Sequence, residues 1–124
     1  DIKLENIMLA GNDCTNVKLV DFGLAHRTLD AQANGLCTRM CGTPQYLTPQ
    51  IVAGTPYEPQ MVDMWCCGVV LYALIERSLP FRSRTRKQLF DKIANEQVRL
   101  DGPAWTNVSD GTKGLVRALL SKDP

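Results

Sequence analysis

The stretch Asp1–Gly23, DIKLENIMLAGNDCTNVKLVDFG, decides how the rest of the chain is read. It holds two polar clusters, Asp1-x-Lys3-x-x-Asn6 and Asp21-Phe22-Gly23, and between them two short apolar runs, Ile7–Leu9 and Val17–Val20. The segment Gly11-Asn12-Asp13 separates the runs, with Cys14 and Thr15 close behind. Short apolar runs split by Gly, Asn and Asp predict a β-hairpin. A hairpin returns the chain, so Asp1, Lys3, Asn6 and Asp21 are expected to meet at one rim. Two carboxylates, an amide oxygen and an ammonium in one place suit a divalent metal and a phosphorylated ligand. Hard oxygen ligands hold Mg²⁺, and the remaining carboxylate can accept a proton. Either cluster alone reads equally well as a surface loop; both together, spaced across a hairpin, point to a site.

Composition bounds the alternatives. The 124 residues suffice for one compact domain, and 44% apolar with 22% charged residues is ordinary for a globular protein. A net charge of +1 gives no sign of a nucleic-acid partner. The densest basic run, Arg82-Ser83-Arg84-Thr85-Arg86-Lys87, reads as a solvated helix start or as a docking patch for acidic partners. No apolar stretch approaches the length of a membrane span; Cys66–Ile75 is expected to be a buried helix. No signal peptide is visible, and the chain begins with Asp rather than Met. The odd count of five cysteines, Cys14, Cys37, Cys41, Cys66 and Cys67, fits reduced thiols better than a disulfide framework. An intracellular location, cytoplasmic or nuclear, is the corresponding expectation. Cys37-x-x-x-Cys41 lacks the second pair that zinc requires, and His26 is the only histidine.

Further along, Leu24–Leu47 has no clear period, and a connection that long is usually functional or disordered. It ends in Cys41-Gly42-Thr43-Pro44-Gln45-Tyr46-Leu47-Thr48-Pro49-Gln50. From Met61 an apolar helix is predicted, hydrophobic nearly all round and therefore central. An aspartate near its start, Asp63, needs partners if it is buried. Thr85–Ala94 predicts an amphipathic helix with Leu89, Phe90 and Ile93 on one face. Gly102-Pro103 breaks the chain, and Ser109 is placed to N-cap a last helix over Asp110–Leu120, with Leu115, Val116, Leu119 and Leu120 at helical spacing.

The spacing D-x-K-x-x-N, fourteen residues, then D-F-G resembles the catalytic and metal-binding loops of eukaryotic protein kinases. Cys41–Gln50 resembles that family's C-G-T-P-x-Y-L-A-P-E, and Asp63-x-Trp65-x-x-Gly68 its central helix. The resemblance covers essentially the whole chain, and residues 1–124 would form a partial kinase domain. It implies a mainly α fold, the C-terminal helical lobe with a short β-hairpin near the N-terminus and the N-terminal lobe absent. It also implies that Asp1 orients the substrate hydroxyl and takes its proton, and that Lys3 neutralises the transferred phosphoryl group. Thr43 would align both. Asn6 and Asp21 would hold the Mg²⁺ ions that bridge the ATP phosphates. Asp63 would anchor the catalytic-loop backbone as a structural residue. Lysine two residues after the catalytic aspartate marks the serine/threonine branch, and W-x-x-V-S…L-L-x-x-D-P resembles calcium/calmodulin-dependent and related kinases.

Two residues depart from the family pattern. Thr48 replaces alanine, and Gln50 replaces a glutamate that in the family pairs with a late arginine. Thr38 is a candidate activation-segment phosphosite, with Thr28 a weaker one, and phosphate could order the segment by pairing with basic residues. The implied partners are protein substrates with Ser/Thr acceptors and an upstream activating kinase, with no nucleic acid and no membrane. No G-x-G-x-x-G occurs in the chain, so residues 1–124 alone are expected to be inactive. A second reading stays open at this point: a pseudokinase or shortened isoform that binds partners through the helices after Ile51.

Overall fold

The computed structural model describes residues 1–11, 15–25 and 35–123. Asn12, Asp13 and Cys14 of the hairpin turn, and His26 and Thr28, lie outside the described residues. The hairpin is present as strands β1 (Ile7–Ala10) and β2 (Asn16–Leu19), antiparallel, with Ile7 opposite Leu19 and Ala10 opposite Asn16. Every residue of β2 is exposed. A two-stranded hairpin is marginal by itself. This one is joined to what precedes it by the Val20 N–H, which donates to the Asn6 carbonyl at 2.9 Å.

Four helices make the body: α1 (Pro49–Ala53), α2 (Pro59–Glu76), α3 (Arg86–Asn95) and α4 (Asp110–Leu119). Each start has a local cause. Thr48, Thr85 and Ser109 accept hydrogen bonds from the third residue on, Ile51, Gln88 and Thr112, satisfying donors that a helix end leaves free. Proline at the first position of α1 and of α2 lacks an N–H that would be unbonded there anyway. That proline starts α2 two residues before Met61, where periodicity alone placed it.

The core forms where α4 and the turn Pro103–Trp105 pack on α2, while α3, packed on α1, adds Leu89 and Ile93 to the same cluster. Trp65 stacks on Phe81 with ring centroids 5.9 Å apart, and Tyr72 meets Trp105 at 5.4 Å. The Trp105 indole N–H donates to Glu76 at 2.5 Å, so the polar edge of a buried ring is paired. Phe81, Ile93, Leu120, Val69 and Val116 are buried almost completely, each contributing roughly 1.5–3 kcal/mol of apolar burial. Gly68 sets the closeness of α2 and α4, because a Cβ there would lie 2.8 Å from Leu119 Cβ.

Three expectations are refined. Central helix α2 is not covered all round: Met61, Met64, Cys67 and Leu74 are exposed, because α4 and the Trp105 turn cover one face only. In α3 the apolar face is Leu89 and Ile93, with Phe90 half-buried. In α4 Val116 is buried and Leu115 is exposed, with Leu120 completing the packed face just beyond the helix. No helix among the described residues is long and apolar enough to cross a membrane.

Candidate active site

Asp1, Asn6, Asp21, Thr43 and Asp63 line one cleft of about 270 Å³. The Asp1 side chain is only 8% exposed and is held from two directions. Lys3 Nζ forms an ion pair with its Oδ2 at 2.5 Å. From 42 residues further along, the Thr43 backbone N–H and hydroxyl each donate to Oδ1 at 3.1 Å. Lys3 Nζ also donates to Thr43 Oγ1 at 2.9 Å, which turns the hydroxyl hydrogen toward the carboxylate. A carboxylate has about four acceptor positions. These bonds fill both on Oδ1 and leave Oδ2, which takes the Lys3 ammonium and lies 3.4 Å from the same Thr43 hydroxyl, as the less occupied oxygen. A hydroxyl presented there could give up its proton next to a fixed positive charge.

Asn6 is oriented by a different contact. Its side chain is in a buried residue, and Nδ2 donates to the Asp1 carbonyl at 2.8 Å, so the amide oxygen is the end left for a ligand. The Val20–Asn6 backbone bond sets Asp21 one residue from Asn6 across the hairpin base. Asp21 has a left-handed backbone, φ 60°, which Asp tolerates better than most residues. Its Oδ1 accepts from the Gly23 N–H at 3.2 Å, and the residue is exposed. A Cβ on Gly23 would sit 3.1 Å from that oxygen, close enough that the Asp21 carboxylate would have to shift by a few tenths of an ångström. One carboxylate and one amide oxygen form a donor set suited to Mg²⁺, which usually takes one or two carboxylates and completes its shell with water and phosphate oxygens. No cluster of three or more His, Cys, Asp or Glu that could hold a metal occurs among the described residues.

Two tyrosines carry out positioning that the sequence motifs did not reveal. Tyr46 is buried, and its hydroxyl accepts from the Leu4 N–H at 3.3 Å, propping the turn between Lys3 and Asn6. Burial pushes its phenol pKa up. Its backbone carbonyl accepts from Cys66 Sγ at 3.5 Å, a contact from α2. Tyr57 pairs backbone to backbone with Cys37 and donates its hydroxyl to the Arg39 carbonyl at 2.6 Å. Burial and the neighbouring Cys37 thiol push that phenol to about 12. The tyrosine of C-G-T-P-x-Y was the available signal for Tyr46; Tyr57 had none.

The remaining predicted residues are placed as follows. Asp63 is exposed, and its carboxylate makes no hydrogen bond to a described residue. The implied hydrogen bond from Asp63 to the catalytic-loop backbone is not made among the described residues, and a carboxylate in water needs no such partner, since it bears little desolvation cost. Thr38 is exposed, between Cys37 and Arg39. Gln50 Nε2 donates to the Lys122 carbonyl at 3.0 Å, a bond that glutamate, lacking a donor, could not make. Lys122 in turn donates to the Ile93 carbonyl at 2.7 Å and lies 4.0 Å from the Phe81 ring centroid and 5.0 Å from that of Trp65. Burial pulls its pKa down to about 8. Cys37, Cys41, Cys66 and Cys67 are free thiols, and burial pushes Cys66 up to about 12.

The family model for the protein kinase domain matches residues 1–124. Serine/threonine-protein kinase 33 of Mus musculus is 32% identical over 131 residues, an alignment that takes in all of this chain and 26% of that protein. CBL-interacting protein kinase 31 of Oryza sativa subsp. japonica is 37% identical over 124 residues, again all of this chain and 26% of the relative. Serine/threonine-protein kinase Sgk1-B of Xenopus laevis is 36% identical over 123 residues, 99% of this chain and 26% of its own. The chain thus spans about a quarter of the length of these curated relatives. With the aspartate, lysine and threonine in contact, the asparagine and second aspartate beside them and a matching family model over its whole length, the chain belongs to the protein kinase domain family.

Proposed function

We propose that the full-length protein transfers the γ-phosphoryl group of ATP, with Mg²⁺, to serine and threonine hydroxyls of proteins. The observation that carries this reading is the Asp1 carboxylate, held by Thr43 and with its less occupied oxygen beside Lys3. Asp1 receives the proton of the acceptor hydroxyl, and Lys3 faces the charge that develops as the phosphoryl group moves. The Asn6 amide oxygen and the Asp21 carboxylate would hold Mg²⁺, which when bound neutralises phosphate charge. Asp63 lines the same cleft from α2. An upstream kinase acting on Thr38 would set a phosphate beside Arg39. Free thiols at four described cysteines support a location inside the cell.

The test uses the full-length protein with labelled ATP, Mg²⁺ and a mixed Ser/Thr peptide pool. Transfer is expected, and Asp1→Asn should slow it about 10²–10⁴-fold, the usual contribution of a positioned acid or base. Equal rates for the two proteins would overturn the reading. Purified residues 1–124, which contain no glycine-rich phosphate loop, should transfer nothing. Gln50 favours a second reading, a binding module without catalysis, because the family's glutamate is replaced by an amide that bonds a backbone carbonyl. Full-length protein that binds partners but shows no transfer under any metal would support it.

A further inference from the structure

Outside the cleft, the largest concentration of one charge is the run Arg82, Arg84, Arg86 and Lys87, all exposed in a chain whose net charge is only +1. The two ion pairs among the described residues, Lys3–Asp1 and Lys92–Glu96, involve none of them. Four like charges within six residues repel one another, and two of them occupy the first turn of α3, where no acidic residue offsets them. The sequence therefore carries an electrostatic cost here that an anion would relieve.

The location gives that anion a source. Arg86 folds over the Phe90 ring, 4.9 Å from its centroid, and its Nη2 lies 3.9 Å from Met40 Sδ. Met40 follows the exposed Arg39 and precedes Thr43 by three residues, and Thr43 bonds the Asp1 carboxylate. Three residues of chain span at most roughly 11 Å. The cations thus begin within a short peptide's reach of the position where the acceptor hydroxyl would be presented. An extended peptide advances about 3.3 Å per residue, so a side chain roughly three to six residues from the acceptor can reach them.

We propose that Arg82, Arg84, Arg86 and Lys87, with Arg39, form a docking site for an anionic side chain, carboxylate or phosphate, on the protein substrate. This rests on the phosphotransfer reading for its setting, and it makes the preferred substrates acidic or previously phosphorylated near the acceptor. Arginine suits both groups, since its planar fork pairs two oxygens at once.

The test is a peptide set with alanine, aspartate, phosphoserine or lysine at each position around one acceptor, assayed with the full-length protein. Binding is read separately by fluorescence anisotropy on Asp1→Asn protein without ATP. Aspartate or phosphoserine three to six residues from the acceptor should lower KM about tenfold relative to alanine, the scale of two or three exposed charge pairs. The gain should fade at high salt. The double change Arg82→Glu/Arg84→Glu alters two side chains with no described partner; it should abolish the gain, favour the lysine peptide instead and leave kcat on the alanine peptide unchanged. Phosphoserine outperforming aspartate identifies a primed substrate; equality identifies an acidic one. The proposal is overturned if acidic peptides gain nothing, if the gain survives charge reversal, or if reversal abolishes only binding to phosphatidylserine vesicles. Should no peptide be phosphorylated while acidic peptides still bind in an Arg82- and Arg84-dependent way, the docking site stands and the phosphotransfer reading fails. Phosphorylation of neutral peptides without acidic preference gives the reverse result.

Discussion

Asp1 and Asp21 belong to one cleft but are built differently. The Asp1 carboxylate is buried, paired to Lys3 and bonded twice to Thr43 from 42 residues away. Asp21 is exposed, sits in a left-handed backbone conformation and, among the described residues, is steadied by the Gly23 N–H two residues on. Phe22 beside it is 70% exposed. The first carboxylate is therefore prepared by the chain itself, as a group that must meet a hydroxyl in one orientation has to be. The second has free oxygen lone pairs and room around it, which suits a group whose partner arrives with the ligand.

The sharpest way to break this comparison is to neutralise each in turn in the full-length protein. Asp21→Asn should raise the Mg²⁺ concentration needed for half-maximal transfer, whereas Asp1→Asn should lower kcat about 10²–10⁴-fold at an unchanged Mg²⁺ requirement. A shared Mg²⁺ dependence, measured by metal titration, would remove the distinction between them.

Gly68→Ala tests whether the prepared side depends on the core beneath it. Its new methyl would strike Leu119 and Leu120 where α2 and α4 touch. Overpacking of this kind costs typically about 1–3 kcal/mol, so a lowered Tm is expected by thermal unfolding. An unchanged Tm would mean that the two helices can separate without penalty.

Tyr46→Phe is a smaller and more local change. It removes the acceptor for the Leu4 N–H while keeping the buried ring, at a cost of about 1 kcal/mol. The expected result is a several-fold fall in kcat with KM for ATP unchanged. A change in the Mg²⁺ requirement instead would show that Tyr46 serves the Asp21 side as well.

Lys122 gives the smallest effect, and it is pH-dependent. Burial lowers its folded-state pKa to about 8 from an ordinary value near 10.5. Between those values the unfolded chain holds the proton that the folded chain has released. Stability from this group therefore rises as pH increases from about 8 to about 10.5, and is at its lowest below pH 8. Lys122→Met should flatten the rise in Tm over that window. A rise of the same slope in the variant would assign it to other groups.

Much of this molecule was legible before any coordinates. Gly/Asn/Asp punctuation announced the hairpin, Thr85 and Ser109 announced two helix starts, and Asp1, Lys3, Asn6, Asp21 and Thr43 were legible as a motif. These signals are local, depending on backbone preferences and on residues a few positions apart. The family pattern added Asp63, but its exposure was not legible, because burial depends on which surfaces surround a residue in space. Gln50 is similar. As a sequence feature it was only a departure from a pattern, while the fold gives it the Lys122 carbonyl, 72 residues away.

The amino-acid sequence alone determined the type of fold, the chemistry of the cleft residues and the starts of two of the four described helices, since hydrophobic period, capping and hydrogen-bonding capacity are properties of short segments. Tertiary structure decided which oxygen of Asp1 remains available, that Tyr46 and Tyr57 brace the loops around it, which face of α2 is covered, and that the basic run lies beside Met40. Each of these follows from contacts between distant segments, whose direction and distance are fixed only when the core packs.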